Sequence, residues 1–219
     1  MTKKIKLPVI VKPNTLGSSI GISVAKTTEQ LTEAIELAFV FDNNILIEEL
    51  VQNLKEINIS VMGDGQNCIC SVTEQPQNKG EFLSFSNKYL DNTSSKTEQI
   101  QKGMQNLSRI IPANISTTQI EQVEVLAKKV FAILRAKGVV RIDFLMDTKT
   151  EEIFVNEINT IPGSFAFYLW EKSGISFDKL VDMLVEIAES SMREQNKLTT
   201  KFTSSVLKSS GAKSPKMLS

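Results

Sequence analysis

Apolar residues in the first seventy positions come in short runs, not long stripes. Leu7 to Val11 is a β-rich run broken by Pro13, then a loop holds Gly17, Ser18, Ser19 and Gly21 before a second strand. Thr27 and Gln30 have capping-box spacing, and Leu31, Ala34, Ile35 and Ala38 recur at helical intervals. Together they predict a helix over about 28–39, ending near Asp42-Asn43-Asn44. Ile45 to Leu50 forms the next strand. Ile57, Ile59 and Val61 alternate with Asn58 and Ser60, the pattern of a half-buried strand, and Cys68 to Val72 should pair back across Gly63-Asp64-Gly65. This half reads as antiparallel sheet with one helix.

From about 75 to 116 the chain is polar, broken only by Phe82-Leu83-Ser84-Phe85 and Lys88-Tyr89-Leu90. A loop of that length in a compact domain is functional or disordered. Thr118 with Glu121 is expected to open a second helix carrying Ile120, Val123, Leu126, Val130, Ile133 and Leu134 as its apolar stripe, with Gly138 as its stop. Strands follow at about 139–146 and 152–158, joined through Asp147-Thr148-Lys149. A third helix starts near Ser176 and buries Leu180, Met183, Leu184 and Ile187. Beyond residue 193 the chain turns polar and ends in SSGAKSPKMLS, the composition of a disordered tail. No internal repeat is visible.

With 219 residues and 41% hydrophobic content, the chain can bury one substantial core or two small lobes packed together. Lys plus Arg (25) equal Asp plus Glu (25), so no net field draws nucleic acid or an anionic membrane, and neither is expected as a partner. No run approaches the roughly 20 apolar residues that span a bilayer, and a cytoplasmic location is expected. Cys68 and Cys70 share one strand face, too close along the chain for an ordinary disulfide, and read as strand packing in preference to metal binding. Histidine is absent, which removes Ser/His/Asp and Cys/His machinery and most zinc sites. Chemistry here must run on carboxylates, Lys, Arg, Ser, Tyr and bound metal.

Two neighbouring strands carry charge where a buried strand should be apolar. Arg141 and Asp143 are two apart and share a face, as do Glu157 and Asn159. Unpaired in a core, such groups would cost several kcal/mol each, so they pair with each other or with ligands. A structural salt-bridge network is one reading. Two such pairs at the ends of neighbouring strands favour a site, and Asp, Glu and Asn give an all-oxygen set suited to Mg²⁺. The Gly17 to Gly21 loop offers backbone N–H groups and hydroxyls to an anion, and Lys12 adds a point charge before it. Lys88 and Tyr89 in the long polar loop are either solvated surface or part of a lid.

The strings PVIVKPNTLGSSIGISV, ILIEELVQNLKEINISV, FSNKYL, GVVRIDFLMD and FVNEINTIPGSFAFYLWEKSG, in this order and spacing, resemble the D-alanine–D-alanine ligases over roughly residues 7 to 190. The resemblance implies an α+β ATP-grasp fold, antiparallel sheets with packed helices in two lobes holding ATP between them. It divides the chain into a partial first lobe with the glycine-serine loop (1–74), a lid loop and second lobe (75–192), and a polar tail (193–219). Lys12 and Lys88 would contact ATP phosphates, and Ile10, Ile22 and Phe82 would line the adenine slot. Glu48 and the backbone near Leu50 and Val51 would read the adenine edge, and Glu56 would take the ribose. Asp143, Glu157 and Asn159 would hold two Mg²⁺ ions, with Mn²⁺ able to substitute.

The implied reaction phosphorylates the carboxylate of one D-alanine with ATP, and the amine of a second attacks the acyl phosphate, a step of peptidoglycan precursor synthesis. Arg141 and the Gly163 N–H would stabilise the oxyanion, Ser18 and Tyr89 would pair over the substrate, and Ser164 would hold the second substrate. A homodimer is also implied. Family members carry an N-terminal domain and a further phosphate-contacting lysine before the strand that opens this chain, and neither is seen. Three readings compete: a truncated product, part of a longer enzyme, or a small relative that binds nucleotide without the full reaction. Truncation is favoured. The segment after Gly163 is shorter than usual, which leaves open a different second substrate such as D-lactate or D-serine, beside a non-catalytic Mg-ATP-binding module.

Overall fold

The computed structural model describes residues 5–17, 19–77 and 109–198. β1 (Val9–Pro13) pairs antiparallel with β2 (Ser23–Ala25) on one side and β3 (Ile45–Glu49) on the other. The period-two pleat sends Val9 and Val11 into a small core against Ala34 and Ala38 of α1 (Thr28–Phe41), and leaves Ile10 and Lys12 on the opposite face. The Thr27 hydroxyl caps α1 by accepting the Gln30 N–H at 3.3 Å, but the Gln30 amide oxygen takes the N–H of Lys26, at 2.8 Å, in place of the cap residue's own. At the helix end the Asp42 carboxylate accepts from the Thr15 N–H and hydroxyl at 2.7 and 2.6 Å, which ties the loop after β1 to α1. Gly21 is required there: at φ +71°, a Cβ would lie 2.8 Å from both Pro13 Cγ and Phe41 Cδ2.

Five strands form the larger sheet: β4 (Leu54–Gly63), β5 (Cys68–Pro76), β6 (Arg109–Ile110), β7 (Gly138–Asp147) and β8 (Ile153–Asn159), in the order β6-β5-β4-β7-β8. Each neighbouring pair is antiparallel. Sheet membership changes between Glu49 and Leu54, and β4 pairs with β7 from Leu54 to Gly63. The β4–β5 turn is Asp64 to Asn67, with Gly65 at φ +97° and the Asp64 carboxylate accepting the N–H groups of Gln66 and Asn67. Cys68 and Cys70 are free and pack on the core beside it, as strand packing requires, and burial pushes the Cys70 thiol up to about 12.

One face of this sheet packs Ile57, Ile59, Val61, Val140, Ile142 and Phe144 against Val123, Ala127 and Phe131 of α2 (Thr117–Ile133). The sequence reading misplaced both ends of α2. Ser116 and Gln119 form the reciprocal capping box, not Thr118 and Glu121, because Ala113 is already fixed by donating its N–H to Thr73 O at 3.1 Å. Ile133 and Leu134 are exposed (69% and 52%), since the chain leaves the helix through Arg135 in the left-handed region, and Gly138 opens β7 and does not stop α2. The described residues contain no helix long and apolar enough to cross a membrane.

The other face carries α3 (Phe167–Lys172) and α4 (Phe177–Asn196), a second cluster around Met62, Val139, Trp170 and Leu180. Ser176 caps α4, Leu180 is fully buried, and Met183, Leu184 and Ile187 pack beside it. α3 was not foreseen. It is pinned by buried polar contacts: Trp170 Nε1–H donates to Ser60 Oγ at 3.1 Å, Ser60 Oγ donates to Val140 O at 2.9 Å, and Val72 N–H donates to Ser173 Oγ at 2.8 Å. Trp170→Phe keeps most of the apolar volume and deletes one buried hydrogen bond, so the denaturant midpoint should report a loss of about 1–2 kcal/mol.

Candidate functional site

A cleft of about 1480 Å³ runs between the two sheets, walled on one side by β1 and β3 and on the other by β4, β5, β7 and β8. Ile10, Lys12, Ile22, Glu48, Leu50 and Val51 line the first wall. Lys12 Nζ meets Glu48 Oε2 at 2.5 Å, because Ile10 is opposite Glu48 and Lys12 is its diagonal neighbour on the same face. The two residues that the resemblance gives to phosphate and to adenine thus begin paired with each other.

The opposite wall carries Glu56, Asn58, Glu74, Arg141, Asp143 and Glu157. Register places Asn58 and Glu157 on either side of Asp143. Arg141 Nε and Nη2 both donate to the Asp143 carboxylate at 2.7 Å, and Asn159 Nδ2 donates to Asp143 Oδ2 at 3.0 Å. The hydrogen bonds to Asp143 hold the guanidinium pKa above its ordinary value. Glu157 corrects the expectation of two buried carboxylates: it is exposed and, among the described residues, makes no side-chain hydrogen bond or ion pair. A register shift in the β7–β8 ladder beside Asp143 bends β8 where these groups gather.

Gly163 and Ser164 are exposed and are not among the described residues lining the cleft. A turn over Gly163–Ala166 leads into α3, whose Tyr168 lines the cleft, with Ser164, Phe165 and Ala166 all in the left-handed region at φ 51°, 55° and 52°. Ser18, Phe82, Lys88 and Tyr89 lie outside the described residues, as does most of the long polar loop and the end of the tail.

Sequence reasoning missed a second cluster in the same cleft. Glu74 is only 3% exposed; its Oε2 accepts the Tyr168 hydroxyl at 2.8 Å, and Arg109 Nη1 lies 3.2 Å from its Oε1. The Arg109 guanidinium also stacks 4.5 Å over the Tyr168 ring. Burial, with Glu74 second, pushes the Tyr168 hydroxyl up to about 12. The folded state therefore keeps a proton that the unfolded chain has lost, so stability falls as pH rises from the ordinary tyrosine value near 10 toward 12. Tyr168→Phe should abolish a tyrosinate absorbance step near pH 12 and flatten that alkaline loss.

The fold is the α+β ATP-grasp architecture, two antiparallel sheets with packed helices. The family model described as D-ala D-ala ligase C-terminus matches residues 1–186. The chain is 39% identical over 185 residues to the D-alanine–D-alanine ligase of Thermosipho melanesiensis, covering 84% of this chain and 47% of that protein. It is 36% identical over 190 residues to D-alanine–D-alanine ligase B of Clostridium tetani, covering 85% and 49%. Among solved structures, the D-alanine–D-alanine ligase of Coxiella burnetii aligns with a TM-score of 0.68 at 25% identity over 86% of this chain and 47% of that one. The VanG D-Ala:D-Ser ligase of Enterococcus faecalis aligns at 0.65 and 25% identity, over 82% and 49%. The chain belongs to the D-alanine–D-alanine ligase family and corresponds to its C-terminal portion. It spans about half the length of the relatives it matches.

Proposed function

We propose that this chain is the ATP-binding part of an ATP-dependent ligase that joins two D-alanines through an acyl phosphate, a cytosolic step in peptidoglycan precursor synthesis. The observation that carries this reading is the pairing across one cleft of a lysine-bearing wall with a wall holding Asp143 and Glu157, Asn159 being bonded to Asp143. Lys12 contacts the phosphates once nucleotide draws it from Glu48, which is then released to the adenine edge with the backbone of Leu50 and Val51. Ile10 and Ile22 flank the base, and Glu56 takes the ribose.

The donor set fits a divalent cation: Asp143 and Glu157 are register neighbours, Asn159 touches Asp143, and all three offer oxygen. Asp143, Glu157 and Asn159 would hold Mg²⁺, or Mn²⁺ in its place, with two ions the reading that the resemblance favours. Such an ion would neutralise charge on the nucleotide phosphates. In the first half-reaction a substrate carboxylate oxygen forms a bond to the γ-phosphorus as the bond to the bridging oxygen of ADP breaks, and Lys12 offsets the charge. In the second, the amine attacks the acyl carbon, loses its proton, and expels phosphate. Arg141 stabilises the oxyanion through Nη1, the guanidinium nitrogen that Asp143 does not engage. In this reading residues 1–74 supply the partial first lobe with the glycine-serine loop, and residues 75–192 the lid loop and second lobe.

The exposure of Ser164, which is not among the described residues lining the cleft, supports a second reading in which the amine donor differs, D-serine for instance. Calorimetric titration of the chain with a non-hydrolysable ATP analogue tests the nucleotide reading. Roughly micromolar binding that requires Mg²⁺ is expected; no binding with Mg²⁺ present would overturn it.

A further inference from the structure

The Glu74–Arg109–Tyr168 cluster has no part in the roles above, yet it opens on the same cleft. Both Glu74 oxygens are engaged, one by the Tyr168 hydroxyl and one by Arg109, so the carboxylate serves as a buried anchor and not as a base. The cation is the member that the pair presents: Arg109 is 26% exposed and Glu74 4% by side chain. A pair serving stability alone gains nothing by turning its positive end toward a ligand cleft. Glu74 and the Tyr168 ring fix the guanidinium from two sides, which removes much of the entropy cost of binding an anion there. Arg141, close enough to Glu74 to feel its charge, is already engaged by Asp143 through two nitrogens.

We propose that Arg109, braced by Glu74 and Tyr168, binds the carboxylate of the amine-donating substrate. The proposal rests on the ligase reading above. An amino acid serving as nucleophile must present its amine while its carboxylate is held away from the acyl phosphate, and a fixed guanidinium does this by charge and by its planar fork. A nearby cation also disfavours the ammonium form and so favours the attacking amine. The site selects zwitterionic amino acids over amines that lack a carboxylate.

The test is calorimetric titration of the chain with D-alanine and with D-alaninamide, each with and without Mg-ADP. Removing Arg109 alone strands the buried Glu74 charge, so the variant is Arg109→Met combined with Glu74→Gln, beside Arg109→Lys. The wild-type chain should prefer D-alanine by on the order of tenfold or more. The double variant should lose that preference while D-alaninamide and Mg-ADP affinities hold, and Arg109→Lys should restore part of it. Equal losses for both ligands would reveal a merely structural role and overturn the proposal. So would an unchanged preference, or a wild-type chain that does not bind D-alanine. Absent Mg-ADP binding would sink the nucleotide reading alone, since the nucleotide-free titrations still decide the role of Arg109.

Discussion

Glu157→Gln is expected to weaken Mg-nucleotide binding by about tenfold to a hundredfold while shifting stability by no more than about 0.5 kcal/mol. The two halves of this expectation come from one observation. Glu157 is exposed and has no hydrogen-bond or ion-pair partner among the described residues, so the folded chain loses nothing when its charge is removed. Its place in the β7–β8 register, opposite Asp143, leaves a ligand in the cleft as the group it can serve. Glutamine keeps the shape and one oxygen and removes the charge that a divalent cation needs. Calorimetry with and without Mg²⁺ separates the effect on metal from any on nucleotide. Undiminished Mg-nucleotide affinity would remove Glu157 from the metal set.

Alternation and cap spacing made most of both sheets legible. Val9 and Val11 against Ile10 and Lys12, or Ile57 and Ile59 through β4, read correctly because each strand has a buried face that fixes its parity. What failed did so where a local rule had two solutions. Ser116–Gln119 and Thr118–Glu121 both satisfy helix-start spacing, and the tertiary tie from Ala113 to Thr73 selects the first. α3 has no helical stripe of its own: it is six residues long, and its place is set by Trp170 and Ser173 bonding to a sheet distant in sequence.

The candidate site divides along the same line. Arg141, Asp143, Glu157 and Asn159 were visible because charge interrupts apolar strands. Glu74 was hidden by a register shift between β4 and β5, where Val61 faces Cys70 but Ile59 faces Thr73. That bulge reverses the parity of β5, so Glu74, which simple alternation puts on the face of Cys68 and Cys70 under α2, opens on the cleft. Arg109 and Tyr168 lie on separate elements far apart along the chain, and no spacing rule could join them to it.

Arg141→Ala should separate from Glu157→Gln in the sign of its effect on the cation. It removes two charge-assisted hydrogen bonds from a part-buried pair, with side chains 26% and 14% exposed, and should cost on the order of 1–3 kcal/mol of stability, read from a denaturant midpoint. Asp143 would keep the Asn159 amide but face Glu157 across the ladder with no compensating guanidinium. Two adjacent carboxylates without their cation attract a divalent ion more strongly, so the Mg²⁺ concentration needed for nucleotide binding should fall, where Glu157→Gln should raise it. On the ligase reading proposed above, acyl transfer should nonetheless drop by on the order of 10²–10³-fold, the usual loss when one oxyanion-stabilising donor goes. Arg141→Lys, which keeps the charge without the two-nitrogen grip, should fall between the two in stability and leave the Mg²⁺ requirement near wild type. A rise in that requirement in Arg141→Ala would mean that the guanidinium organises the metal carboxylate more than it competes for it, and would move Arg141 from the oxyanion to the metal's supporting shell.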